Sequence, residues 1–255
     1  MLIKSWKQNG TITMNLNEGG NIWADQTQRI NRADVDPTLA WLEKITGLDH
    51  VDFKLGSTGL KDTSGDLDIA VNPESISKEE LVKNLLAWVK QNKPDEDPKQ
   101  WIKKSGISVH FKTPINGDES LGFVQTDFMF GNPDWLKFFY RADADSQYKG
   151  MIRNVLLSSL AKAANLKIND KGLFTRDSNE LASFDPDETA VMLLGKGTTR
   201  DDLGSVEKIF QALANSPDKE SKLSDFRDYA QKYELELPEN AELTRIRKLA
   251  GVQTL

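Results

Sequence analysis

Apolar and polar positions follow two different periods between about Trp41 and Phe210. Apolar residues three or four apart predict the buried face of a helix, whereas strict alternation predicts a half-buried strand. On this basis we expect helices near residues 37–47, 77–90, 133–140, 151–164 and 186–194, and in the charged stretch after 205. We expect strands near residues 51–55, 66–71, 107–112, 121–130, 166–168 and 173–174.

Residues that favour turns and helix starts set the predicted boundaries. Pro37 suits the first position of a helix, so we expect the first helix to begin there and to end at Gly47. Residues 11–16 alternate like a strand and residues 17–20 resemble a turn, which predicts a hairpin. Strands and helices are mixed up to about residue 204 and helices predominate afterwards. This order predicts an α+β fold with a mixed β-sheet and flanking helices.

Composition excludes some classes of site. The chain has 255 residues, a formal net charge of -6 and no cysteine. Disulfides, a thiol nucleophile and a cysteine-based zinc site are therefore excluded. The sequence shows neither a signal peptide nor an apolar run long enough to cross a bilayer, so we expect a soluble, cytoplasmic protein with no membrane partner. It carries no signal for oligomeric state.

The segment 137–176 is basic although the chain as a whole is acidic. Its cationic residues outnumber its acids. These cationic residues are Lys137, Arg141, Lys149, Arg153, Lys162, Lys167, Lys171 and Arg176. Such a segment can contact the phosphates of a nucleic acid, and the alternative interpretation is a solvated helical face.

Asp66 and Asp68 stand two residues apart on a predicted strand. Successive strand side chains point to opposite faces, so we expect both carboxylates on one face, with Leu67 and Ile69 in the core behind them. Two adjacent carboxylates repel each other unless a cation lies between them. Oxygen ligands with no Cys or His nearby favour magnesium or manganese.

Gly56 and Ser57 follow an apolar segment and precede a turn. A glycine at this place lets the backbone approach a phosphate closely, and exposed amides together with the Ser57 hydroxyl can bind the oxygens. Ser64 and Gly65 are expected to form a second close approach directly before the two acids.

Asp127 is a polar residue between apolar neighbours on a predicted central strand. A lone buried carboxylate is costly, and a metal shared with Asp66 and Asp68 would compensate for that cost. The alternative is an acid on an edge strand in contact with water. His50 and His110 lack metal-ligand spacing, and we interpret both as structural residues.

The combined pattern resembles the signature of the DNA-polymerase-beta-like nucleotidyltransferases, and within them it is most similar to family X DNA polymerases. Gly-Ser at 56–57, Ser-Gly-Asp-Leu-Asp at 64–68 and Asp127 on a later strand occupy the motif positions. Residues 148–153 and 166–174 resemble the thumb region of those polymerases, and residues 187–195 resemble the short helix that ends it. The resemblance covers about residues 37–200.

The resemblance implies a nucleotidyltransferase palm over residues 37–140 and a small, thumb-like αβ subdomain over residues 141–204. An N-terminal extension, 1–36, and a C-terminal helical extension, 205–255, would flank them. The implied reaction transfers a nucleoside monophosphate from a (d)NTP to an acceptor hydroxyl and releases pyrophosphate.

The same resemblance implies a role for each site residue. Asp66, Asp68 and Asp127 would be the catalytic residues and would hold two Mg²⁺ or Mn²⁺ ions. The residues expected to bind nucleotide or nucleic acid are Gly56, Ser57, Lys61, Ser64, Gly65, Arg141, Lys149 and Arg153. The implied nucleic-acid partner is DNA, bound through residues 137–176.

Three differences from the family pattern keep other acceptors open. The spacer between Ser57 and Asp66 is one residue shorter, no Arg stands at the usual phosphate-binding position, where Lys61 could substitute, and residues 140–146 replace a Tyr-Phe-Thr-Gly-Ser segment. A minimal family X-like DNA polymerase is the first hypothesis. The second is the same chemistry on an RNA, a small molecule or a protein. The third is a binding or structural protein that kept the fold and lost catalysis.

Overall fold

The computed structural model describes residues 22–141, 143 and 145–239. The predicted hairpin at residues 11–20 and the end of the C-terminal extension, 240–255, lie outside this part of the chain. The described residues form a mixture of helices, one mixed sheet and two small antiparallel sheets, which confirms the predicted α+β class.

The α-helices are α1 (Arg32–Thr46), α2 (Lys78–Asn92), α3 (Pro133–Phe139), α4 (Gly150–Ala163), α5 (Pro186–Leu194), α6 (Val206–Ala212) and α7 (Lys219–Lys232). The strands are β1 (Ile30–Asn31), β2 (Thr63–Ser64), β3 (Asp66–Val71), β4 (Ile102–Ser105), β5 (Ser108–Pro114), β6 (Phe123–Phe130), β7 (Leu166–Asn169), β8 (Gly172–Thr175) and β9 (Leu181–Ser183).

The main sheet has the strand order β3-β6-β5-β4. Strands β3 and β6 are parallel, whereas the pairs β6–β5 and β5–β4 are antiparallel. Helices α1 and α2 cover one face, where Leu67, Ile69, Val109, Phe111, Val124 and Phe128 are buried. The residues that alternate with these lie on the opposite face, which we call the polar face because it carries Asp66, Asp68, Gln125, Asp127, His110 and Lys112.

Two large groups of buried side chains stabilise the chain. The first lies between residues 30 and 128 and joins α1 and α2 to the main sheet. The second lies between residues 135 and 237 and packs the five helices α3, α4, α5, α6 and α7 together with the sheet β7-β8-β9. A smaller cluster of Leu55, Ala70, Met129 and Leu136 packs α3 against the polar face near one end of β3 and β6.

The sequence signals for helix starts were correct for α2 and wrong for α1. Ser77 caps α2, since its hydroxyl accepts a hydrogen bond from the Glu80 amide at 3.1 Å, as the sequence indicated. The first helix, however, begins at Arg32, and Pro37 lies inside it rather than at its first position. A proline there removes one backbone hydrogen bond, and burial of Val35, Leu39 and Leu42 in the first core compensates for that loss.

The predicted strand at residues 51–55 was wrong. Residues 51–53 form a 3₁₀ turn, and only a single bridge joins Lys54 to Ile69. Alternation alone cannot distinguish a short strand from a turn that buries every second residue. The short strands β1, β2, β4 and β9 were not predicted, because their apolar pattern is too short to show a period.

No helix in the described part of the chain is both long enough and apolar enough to cross a membrane.

Candidate metal centre

The parallel pairing of β3 with β6 brings three acids together. Asp68 is the direct partner of Asp127 in this register, and Asp66 is the partner of Gln125. Oxygens of Asp66, Asp68 and Asp127, one from each carboxylate, all lie within 4.8 Å of one another. Leu67 and Ile69 are fully buried on the opposite face, as predicted from the alternation. The three predicted catalytic residues therefore converge on one point of the polar face.

Two neighbours that the sequence did not single out for the site contact Asp127. The Gln125 side-chain amide donates to Oδ1 and Oδ2 of Asp127 at 2.9 Å and 3.2 Å. Nδ1 of His110, on the adjacent strand β5, lies 2.8 Å from Asp127 Oδ1. The sequence alone predicts only a structural role for His110. Its partner could be identified only once the β5–β6 register, in which His110 faces Asp127, was known.

The turn at Gly56 borders Asp68, and its role as a phosphate-binding turn stays a prediction. Gly56 has a φ of 58°, in the left-handed region that favours glycine. A Cβ placed on Gly56 would lie 3.7 Å from Asp68 Oδ2 and 3.6 Å from the Tyr140 carbonyl oxygen. The turn is also tied to β3, because the Leu55 amide donates to the Asp68 carbonyl at 2.8 Å and the Asp68 amide donates to the Thr58 hydroxyl at 3.0 Å.

Ser64 and Gly65 lie beside this turn. The Ser64 hydroxyl is buried and accepts a hydrogen bond from the Gly59 amide at 3.2 Å, so it supports the turn. Lys61 is exposed at the edge of the same turn.

Arg29 is a further cationic residue that the sequence had not indicated for this site. Its guanidinium donates to the Thr63 hydroxyl and carbonyl, both at 3.0 Å. A Cβ on Gly65 would lie 3.3 Å from Arg29 Nη1, which places the guanidinium beside the residue that precedes Asp66. Arg29 lies far from these residues in sequence, so only the pairing of β1 with β2 brings it here.

Tyr140 also borders the Gly56 turn, through its carbonyl oxygen. Burial raises the pKa of its hydroxyl to about 12, and the charges of Asp170 and Asp68 act in the same direction. The segment that follows Tyr140 has side-chain contacts with α6 and with the residues that precede α6. Arg141 pairs with Asp201 at 3.0 Å, and the Ser146 hydroxyl donates to Glu207 at 2.9 Å. One border of the site is thereby connected to the second core.

The predicted basic residues are dispersed. Arg153 is 2% exposed, and its guanidinium donates to the carbonyls of Leu203 at 2.6 Å and Phe139 at 3.3 Å. Burial, together with the charge of Arg141, lowers the pKa of Arg153 to about 9. Lys149 precedes α4 at an exposed position, and Lys171 is exposed at the β7–β8 turn.

The arrangement combines ligands for a hard cation with backbone able to approach a phosphate. Three carboxylates and no thiol suit a divalent cation of the magnesium or manganese type. The glycine turn borders Asp68, and Arg29 lies beside Gly65. No protein-family model matches the chain, and no curated protein matches it.

Proposed function

We propose that the protein is a metal-dependent nucleotidyltransferase that transfers a nucleoside monophosphate from a (d)NTP to an acceptor hydroxyl. The convergence of Asp66, Asp68 and Asp127 on the polar face carries the proposal. The proposed fold is a nucleotidyltransferase palm built on the main sheet, followed by a thumb-like αβ part and C-terminal helices.

The donor set fits two divalent ions. Asp66 and Asp68 come from one strand and Asp127 from its parallel neighbour, and one oxygen from each carboxylate lies within 4.8 Å of the others. Bound Mg²⁺ or Mn²⁺ would supply charge neutralisation of the triphosphate and activation of the acceptor hydroxyl. The protein contributes rigid placement, because all three acids are on strands whose opposite face is buried in the first core.

The phosphates would lie along the Gly56 turn. The absence of a side chain on Gly56 keeps open the space between Asp68 and the Tyr140 carbonyl. Arg29 would supply a cation beside the turn, since its guanidinium lies next to Gly65. Ser57 would add a hydroxyl donor, and Lys61 at the edge of the turn a second positive charge.

DNA is the proposed acceptor, in the manner of a minimal family X-like polymerase. Lys149 and Lys171, which are both exposed, would contact it. The hairpin that carries Lys171 packs on α3, because the Trp135 indole donates to the Asn169 carbonyl at 2.9 Å. Besides burial, Asp170 in this hairpin and Asp68 in the acid cluster both raise the pKa of the Tyr140 hydroxyl, so the hairpin would lie close to the site.

A second candidate is the same reaction with an RNA, a small molecule or a protein as acceptor. Several basic residues of segment 137–176 are engaged within the protein. Arg141 pairs with Asp201, Lys162 pairs with Asp225 at 2.5 Å, and Arg153 is buried. These contacts reduce the charge available to a DNA backbone, which favours an acceptor with fewer phosphates.

The test is incorporation of labelled dNTPs and NTPs, with Mg²⁺ or Mn²⁺, onto a gapped DNA duplex and in its absence. We expect transfer by the parent protein and loss of at least about a hundredfold in Asp68→Asn, which keeps the shape of the side chain and removes its charge. Asp52→Asn, at an exposed position of the same half of the chain, is the matched control and should retain activity.

The acceptor decides between the two candidates. Template-directed incorporation with a steep loss of DNA affinity in salt supports the polymerase. Transfer without DNA supports the second candidate. If neither reaction occurs while the protein is folded and binds triphosphate, the proposed activity is contradicted.

A further inference from the structure

Residues 22–28 cross the polar face of the main sheet; we call them the crossing segment. The Gln28 amide donates to the Phe123 carbonyl on β6 at 2.8 Å. Lys103 on β4 donates to the Ile22 carbonyl at 3.1 Å and lies 5.1 Å from the centre of the Trp23 ring. The crossing segment is therefore attached to strands at both sides of β5, and Trp23 is only 5% exposed.

The crossing segment reaches Asp127 through one side chain. The Ile22 amide donates to Gln125 Oε1 at 2.8 Å. The Nε2 group of the same side chain donates to both oxygens of Asp127. Gln125 is 3% exposed, so water does not compete freely for either contact.

These two contacts determine the orientation of the Gln125 amide. A backbone N–H can only donate and an ionised carboxylate can only accept. If the amide were rotated by half a turn, Nε2 would face the Ile22 N–H and Oε1 would face Asp127, and both contacts would become repulsive. The Ile22 N–H thus keeps the donor side of Gln125 directed at Asp127.

Gln125 and His110 together restrict the carboxylate of Asp127. Oδ1 has contacts with both Gln125 Nε2 and His110 Nδ1, whereas among the residues that the structure describes Oδ2 has only the longer contact with Gln125. A carboxylate oxygen offers about two acceptor positions, so Oδ1 is saturated and Oδ2 keeps capacity for a cation. Residues that orient a metal ligand in this way commonly change metal affinity ten- to a hundredfold when they are replaced.

We infer that Gln125 and His110 are positioning residues for Asp127, and that the Ile22 amide of the crossing segment keeps Gln125 in its productive orientation. The inference rests on the proposed function, since Asp127 needs an oriented carboxylate only if it binds a cation. It gives the segment before the predicted palm a role in the site.

The experiment measures Mn²⁺ affinity by calorimetry or by electron paramagnetic resonance, without any acceptor. Gln125→Met keeps the length of the side chain and removes both polar groups. We expect it to weaken Mn²⁺ binding about tenfold. Gln91→Ala, at an exposed position of α2, is the control and should bind as the parent does.

The backbone contact is tested at Ile22. Ile22→Pro removes the N–H donor, whereas Ile22→Ala keeps it. We expect weaker Mn²⁺ binding only in the proline variant. At His110, Asn can still donate to Asp127 and Leu cannot, so His110→Asn should retain more affinity than His110→Leu. If the thermal midpoint of Gln125→Met falls far below that of the parent, Gln125→Ala takes its place.

In transfer assays, the Mn²⁺ concentration for half-maximal rate should rise in Gln125→Met while the KM for the triphosphate at saturating Mn²⁺ stays unchanged. Parent-like Mn²⁺ affinity in Gln125→Met and Ile22→Pro, with loss of binding in Asp127→Asn, would overturn the inference and leave the proposed function intact. Parent-like affinity in Asp127→Asn itself would overturn both.

Discussion

Asp68 and Asp127 are direct partners across the parallel strands β3 and β6, and their carboxylates belong to a cluster of three. Three like charges at such distances raise the energy of the folded protein unless a cation compensates for them. Strand pairing places them there, and Asp127 also has contacts with Gln125 and His110.

Removal of one charge from this cluster should change stability in opposite directions with and without metal. In a chelator, we expect Asp68→Asn to raise the free energy of unfolding by about 1 kcal/mol, because the repulsions of Asp68 with Asp66 and with Asp127 are both removed. In millimolar Mn²⁺ the parent should gain stability by mass action and the variant should not. Urea titrations in the two buffers measure both effects. A variant that is less stable in chelator and still stabilised by Mn²⁺ would contradict this prediction.

Gly56 can be compared with a second glycine in the same backbone conformation. Gly106 has a φ of 51°, and a Cβ there would meet no atom within 4 Å. Alanine at either position should cost about 1 to 2 kcal/mol of folding free energy, because an L-residue is strained in the left-handed region. Only Gly56→Ala should also weaken triphosphate binding, because its methyl group would stand beside Asp68. Titration with a fluorescent nucleotide measures the affinity for triphosphate. An equal loss of affinity in Gly106→Ala would argue against a phosphate-binding turn at Gly56.

Arg153 should act as a structural residue of the second core. Its guanidinium donates to two carbonyls and lies 4.8 Å from the centre of the Phe138 ring. Arg153→Met keeps most of the packing and leaves the two carbonyls without a donor, so we expect a loss of about 3 kcal/mol in chemical denaturation. Arg176→Met, at an exposed position, should lose less than about 1 kcal/mol.

A direct ligand role for Arg153 makes a different prediction. If Arg153 contacted DNA or triphosphate in the folded protein, Arg153→Met would weaken binding more than Lys171→Met under conditions where both variants are folded. We expect the opposite order, because Lys171 is exposed and Arg153 is not.

His50 should make stability depend on pH. It is fully buried, its Nε2 lies 2.7 Å from the Thr46 hydroxyl, and burial lowers its pKa from 6.5 to about 4. Below about pH 6.5 the unfolded chain takes up a proton that the folded protein refuses until about pH 4. The contribution of neutral His50 is therefore complete above pH 6.5 and is lost as the pH falls towards 4, by about 3 kcal/mol.

The measurement compares the parent with His50→Gln, whose side chain stays neutral throughout this range. Unfolding free energies from urea titrations between pH 7 and pH 4 should fall less steeply in the variant. Carboxylates titrate in both proteins, so the difference between the two curves isolates His50. Identical slopes would show that the histidine is not held neutral in the folded state.

Local patterns predicted the elements whose signals are long or chemically distinctive. The period of apolar residues located α2, α4 and α5 to within two residues, because each helix is long enough to show one buried face. The start of α1 predicted from Pro37 was wrong, because burial in the first core outweighed the preference of proline for a first turn. The strand predicted from alternation at residues 51–55 was also wrong, since a 3₁₀ turn can also bury alternate residues.

By itself, the sequence determined the α+β class and identified the three acids as candidate metal ligands. A strand of period two must place Asp66 and Asp68 on one side of its sheet, so their shared face was also predictable. Only the tertiary structure decided that β3 pairs with β6 and that His110 contacts Asp127. It also decided that Arg29 lies beside Gly65 and that the Ile22 amide contacts Gln125. Strand order and register depend on how side chains distant in sequence pack together, and a single strand carries no record of its neighbours.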